Sequence, residues 1–134
     1  MKRQILAIDD SKAIRFLLQT VFGKSFQVIT ASDGCSAMYW LTKNKLPDII
    51  IADPQLPDMK DWELVDYLTS SGIYGNVPVI VLSALDKKET HQKCKELSVK
   101  EFFMKPFNPV DLGVSIQHFT SFHVNRREAY LKVV

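Results

Sequence analysis

Asp48-Ile49-Ile50-Ile51-Ala52-Asp53-Pro54-Gln55-Leu56-Pro57 decides the fold. An unbroken Ile-Ile-Ile-Ala run fits a strand buried on both faces, as strands inside a parallel sheet are. The run stops at a carboxylate, and two prolines then forbid helix and ladder pairing. An acid presented from the carboxyl end of such a strand lies where open α/β sheets place ligands. Asp53 is therefore the first candidate functional residue.

Working outward, Ile5-Leu6-Ala7-Ile8 reads as a second buried strand, and it too ends in acids, Asp9-Asp10. Ser11 can cap a helix carrying Ile14, Leu17, Leu18, Val21 and Phe22 at helical spacing, with Gly23 as its stop. Phe26–Thr30 is a strand; Ser32-Asp33-Gly34 opens a helix that buries Ala37, Met38 and Leu41. After the Asp53 strand, a helix over roughly Lys60–Ser70 places Trp62, Val65 and Leu68 on one side. Val77–Leu82 is the next strand. Asp86 and Glu89 suggest a capping box for a fourth helix whose inner stripe holds only His91, Cys94 and Leu97, so it should be weakly anchored. Glu101–Met104 is the last strand, and Asn108-Pro109 opens a final helix with Leu112, Ile116 and Phe119 inward. The pattern breaks at Thr120. Residues 1–120 then read as one domain and 121–134 as a tail with a helical turn near Glu128–Lys132 and a solvated Arg126-Arg127 pair.

Five alternating strand–helix units call for a doubly wound parallel sheet with helices on both faces and right-handed crossovers. Five strands fit the flavodoxin-like order 2-1-3-4-5, which brings the strands ending in Asp9-Asp10 and Asp53 together at the switch point. At 134 residues, 46% apolar and 24% charged, the chain suits one ordinary globular domain. A net charge of +2 makes no case for nucleic acid or membrane, and the start is too short and polar for a signal peptide. Cys35 and Cys94 form no metal-type cluster; they read as reduced packing residues of a cytoplasmic protein, with a disulfide as the weaker alternative. His91, His118 and His123 lack metal spacing and read as surface or helix-flank residues.

Crowded carboxylates raise one another's pKa, and a hard divalent cation such as Mg²⁺ relieves the repulsion through oxygen ligands. Ser83, after the fourth strand, offers a hydroxyl, and Lys105, after the fifth, an ammonium. Taken together these groups suit phosphoryl transfer onto Asp53.

Asp9-Asp10, Asp53, Ser83-Ala84 and Lys105-Pro106-Phe107, each at a strand end, resemble the receiver domain of two-component response regulators over about Arg3–Thr120. The resemblance implies that Asp53 is the phosphoacceptor. It implies Mg²⁺ held by Asp10, Asp53 and the Gln55 backbone carbonyl, with Asp9 acting mainly through water. Ser83 and Lys105 would hold phosphoryl oxygens, Phe102 would be the switch aromatic that follows Ser83, and Lys105-Pro106 would be cis. The phosphoryl donor would be a sensor histidine kinase or phosphotransfer protein. With no covalent output domain in this chain, output would be a contact of the fourth helix, last strand and fifth helix with a downstream protein, not directly with nucleic acid or membrane. The chain would be a phosphoacceptor rather than an enzyme in the ordinary sense.

Three positions depart from the pattern. Pro54 has no amide to offer the phosphoryl group, Asp61 stands where glycine is usual, and Leu85 is large and apolar. Taken singly, Ser83 is a turn residue, Lys105 a surface lysine and Phe102 core packing; only their common register promotes them. Three rivals share parts of the pattern. A haloacid-dehalogenase-type phosphatase would need Asp-x-Asp after the first strand. A flavin carrier would not place acids there, against a phosphate. A receiver-shaped scaffold that no longer switches by phosphorylation is favoured by Pro54 alone.

Overall fold

The computed structural model describes the backbone of residues 2–133 and the side chains of residues 2–121. Five strands, β1 (Arg3–Ile8), β2 (Phe26–Ala31), β3 (Ile49–Ala52), β4 (Val79–Ser83) and β5 (Glu101–Met104), alternate with α1 (Lys12–Phe22), α2 (Gly34–Lys43), α3 (Glu63–Ser70), α4 (Lys87–Glu96) and α5 (Pro109–Val133). All strand pairs are parallel, in the order β2-β1-β3-β4-β5. The fold class read from the sequence is the one observed.

Strand alternation divides the interior in two. Leu6, Ile8, Ile50, Ala52, Val79 and Val81 face a core shared with Ala37, Leu41, Val65, Leu68 and Cys94. Ile5, Ala7, Ile49, Ile51, Ile80 and Leu82 face the other, with Leu18, Phe22, Leu112 and Ile116. Because both faces are covered, β3 and β4 carry no polar residue until each reaches its carboxyl end.

Most helix starts follow the predicted caps. Ser11 Oγ accepts from the Ile14 amide, Asp33 from the Ser36 amide and Asp86 from the Glu89 amide. Three local readings need correction. α3 begins at Glu63, not Lys60, and Trp62 precedes it in a left-handed conformation (φ 70°). This costs backbone strain that a buried indole, only 4% exposed, can offset. In α4 the buried side chains are Thr90 and Cys94, whereas His91 is exposed. Finally, α5 does not break at Thr120 but runs to Val133. No glycine or proline lies between Val114 and Val133, so propagating the helix costs little. The exposure expected for His123 and Arg126-Arg127 lies outside the described side chains.

Candidate functional site

Register builds the site. Ile8 pairs with Ala52, so the residues that follow, Asp9 and Asp53, leave adjacent strands side by side. Ser83 pairs with Met104, and the Lys105 amide donates to the Ser83 carbonyl at 2.8 Å, so Lys105 leaves β5 toward the same crevice. The Lys105–Pro106 bond is cis, as the resemblance implied.

Lys105 closes the cluster. Its Nζ donates to Asp9 Oδ2 and to Asp53 Oδ2, each at 2.7 Å. The other oxygens are held by backbone: Asp9 Oδ1 accepts from the Ser11 amide at 2.9 Å and Asp53 Oδ1 from the Gln55 amide at 2.8 Å. Asp9 and Asp53 are buried, while Asp10 is exposed at the mouth. The three acids each bring an oxygen within 4.8 Å of the others.

Burial pushes the Asp53 carboxyl above its ordinary value; the Lys105 ammonium and the Gln55 amide pull the other way, and Asp9 reinforces the rise. For Lys105, burial works against the charge, but the two carboxylates outweigh it and hold the ammonium protonated above its usual value. The result is one carboxylate kept short of solvent, one fixed cation and one open, acidic edge. Such an all-oxygen donor set fits a divalent ion that retains waters.

Ser83 is fully buried, but its hydroxyl is engaged by α4: Ser83 Oγ lies 2.8 Å from Thr90 Oγ1 and accepts from the Leu85 amide at 3.0 Å. Phe102 is half-buried against the core beneath α4, its ring 5.9 Å from that of His91. Leu85 packs against the same core. Gln55 is exposed; its side-chain amide reaches Asp61 at 3.5 Å. Pro54, which lacks an amide, uses its carbonyl to accept from Trp62 N–H at 2.8 Å.

Several contributors escaped the sequence reading. Arg15, on α1, donates to the Asp9 carbonyl at 2.8 Å and fixes the turn after β1. Asp58 accepts from the Gly34 and Cys35 amides at 2.9 and 2.8 Å, tying the loop after β3 to the start of α2. The Sδ and Cε of Met59 lie where a Cβ on Gly34 would sit, so a larger residue there would require the flexible end of Met59 to move. Asp58 and Thr90 carry no motif; their partners lie across the fold or on another element. Cys35 and Cys94 are free thiols, one exposed and one buried, and form no disulfide.

A family model described as the response regulator receiver domain matches residues 5–117. The chain is 31% identical over 120 residues to sporulation initiation phosphotransferase F of Bacillus subtilis, covering 89% of this chain and 94% of that protein. It is also 31% identical to the alkaline phosphatase synthesis transcriptional regulatory protein PhoP of Bacillus subtilis, of which it spans 48%. Among solved structures, chemotaxis response regulator CheY4 of Vibrio cholerae superposes with a TM-score of 0.77 at 28% identity, covering 89% of this chain and 99% of that one. The receiver domain of Francisella response regulator 1452 gives 0.81 at 27% identity, with 91% and 99% coverage.

Proposed function

This chain belongs to the response regulator receiver family, and from that premise we propose that it accepts a phosphoryl group on Asp53. The observation that carries the reading is the Lys105 bridge, 2.7 Å to both Asp9 and Asp53, with Asp10 at the open edge. The Asp53 carboxylate oxygen attacks phosphorus on a phosphohistidine donor. The P–N bond breaks as the P–O bond forms, and the electron pair returns to the imidazole nitrogen. The donor is a sensor histidine kinase or phosphotransfer protein. Lys105 keeps its proton and pairs with a phosphoryl oxygen, while Ser83 turns its hydroxyl toward another. Asp10 and Asp53, the Gln55 carbonyl and, through water, Asp9 would hold Mg²⁺, which when bound offsets the charge on the transferring group. Output is a change in the face built from α4, β5 and α5, read by a protein partner in the cytoplasm.

Incubation with acetyl phosphate and Mg²⁺, followed by intact-mass measurement, tests this. One phosphoryl adduct, absent from Asp53→Asn, is expected. Steady turnover of phosphate esters would instead mean a phosphatase. No adduct and no turnover would mean a scaffold, the outcome the missing Pro54 amide favours.

A further inference from the structure

α4 is the most polar helix around the sheet, with the sequence Lys-Lys-Glu-Thr-His-Gln-Lys-Cys-Lys-Glu. Only two of its side chains are buried, Thr90 and Cys94. One of these two anchors is therefore not apolar but a hydroxyl, and its partner is Ser83, at the carboxyl end of β4. Both residues are 0% exposed, so water does not compete for the bond. No other side-chain hydrogen bond of Thr90 is found among the described residues.

Ser83 has one proton and two lone pairs. One lone pair takes the Leu85 amide, and the bond to Thr90 uses either the proton or the second lone pair. Whichever hydroxyl donates, Oγ cannot stay 2.8 Å from Thr90 and also swing about Cβ to a group on Asp53. We propose that Thr90 is a positioning residue that acts through Ser83: it holds the hydroxyl on α4 in the resting state, and a phosphoryl group on Asp53 takes it away. This rests on the receiver reading and deepens it by naming the bond through which the site's state reaches α4. Since coupling is reciprocal, anything that frees Ser83 from Thr90 favours the phosphorylated form by the same factor that the phosphoryl group loosens α4. The rest of α4 supplies little to compensate, so its first two turns should open.

The test uses beryllofluoride with Mg²⁺ as the phosphoryl mimic and compares the wild-type chain with Thr90→Val, which keeps the shape but removes the hydroxyl, and Thr90→Ser, which keeps the hydroxyl. Mimic affinity and α4 amide hydrogen exchange are both measured. Thr90→Val should bind the mimic about two- to tenfold more tightly, the worth of one buried hydrogen bond. Its α4 amides should exchange quickly without the mimic and respond little to it. Thr90→Ser should behave as wild type. If packing prevents Thr90→Val from folding, Thr90→Ala provides the same comparison. Unchanged or weaker mimic binding in the hydroxyl-free variant, or an α4 response equal to wild type, overturns the inference while leaving the receiver reading intact. Failure of the wild-type chain to take up the mimic overturns both.

Discussion

At Asp53 the fold opposes the charge that the proposed phosphoryl transfer needs. Burial raises this carboxyl despite the Lys105 ammonium and the Gln55 amide. A carboxyl raised in the folded state contributes stability below its unfolded value, near 4, and that contribution is lost as pH climbs through the folded value. At neutral pH, therefore, ionised Asp53 is a cost. Asp53→Asn keeps the shape and an acceptor for the Gln55 amide but removes the charge. Its urea midpoint at pH 7 should exceed that of the wild-type chain, with the gap closing toward pH 4. A lower midpoint would show that the Lys105 ion pair outweighs burial. The same residue shows why acids were legible here: a buried apolar run ending in a carboxylate needs a reason, whereas an exposed acid such as Asp58 does not. Nothing in the sequence around Asp58 announces that its oxygens hold two amides of another element.

The loop from Asp53 to Trp62 is held at three points: the Gln55 amide on Asp53, the Trp62 amide on the Pro54 carbonyl, and Asp58 on the start of α2. Helix and strand existence followed from periodicity, but these ties join residues far apart in sequence or depend on backbone angles. That is why the left-handed Trp62 and the late start of α3 were missed. Thr90 was missed because it is polar, and an apolar-stripe reading passes over a buried hydroxyl whose partner lies on β4. Two predictions belong at this scale. The Asp58 carboxylate, by its hydrogen bond and charge, raises the Cys35 thiol, and the thiolate is the reactive form. Asp58→Ala should therefore speed alkylation of Cys35 at neutral pH and raise amide exchange in the first turn of α2. An unchanged alkylation rate would mean the tie is absent in solution. Buried Cys94, its thiol pushed up to about 11 by desolvation, should stay unreactive in both proteins. Pro54→Ala restores an amide beside Asp53, the proposed phosphoacceptor, while loosening the loop. One donor to developing charge is worth about 2.7–4 kcal/mol in an oxyanion hole. Beside Lys105 and a bound ion the gain should be smaller, less than about tenfold in phosphorylation rate. A faster rate at unchanged Mg²⁺ affinity identifies the missing donor; a slower rate with weaker Mg²⁺ binding shows that the proline's stiffness matters more.

Across the whole molecule, the site exists only when the sheet does. Asp9 comes from the end of β1, Asp53 from β3, Ser83 from β4 and Lys105 from β5, and their separations along the chain leave no local remnant of the cluster in an unfolded chain. Order 2-1-3-4-5 puts these ends side by side, and the apolar strands that determine it also bury Asp9 and Asp53. An ion that binds the folded cluster and not the unfolded chain must raise global stability by mass action, about 2.7 kcal/mol at a hundred times its dissociation constant. For a domain near this size, about 2–4 °C accompany each kcal/mol, so saturating Mg²⁺ should raise the melting temperature by roughly 5–10 °C. Asp10 is the exposed acid at the mouth, so Asp10→Asn removes the proposed ligand without disturbing the Lys105 bridge or either core. Its melting temperature in the absence of Mg²⁺ should stay near that of the wild-type chain, and most of the Mg²⁺-dependent rise should vanish. Calorimetric scans over a Mg²⁺ series, with Ca²⁺-free buffer and constant ionic strength, separate site binding from general screening, which falls on both proteins alike. An equal rise in Asp10→Asn would locate the stabilising ion elsewhere and remove Asp10 from the ligand set.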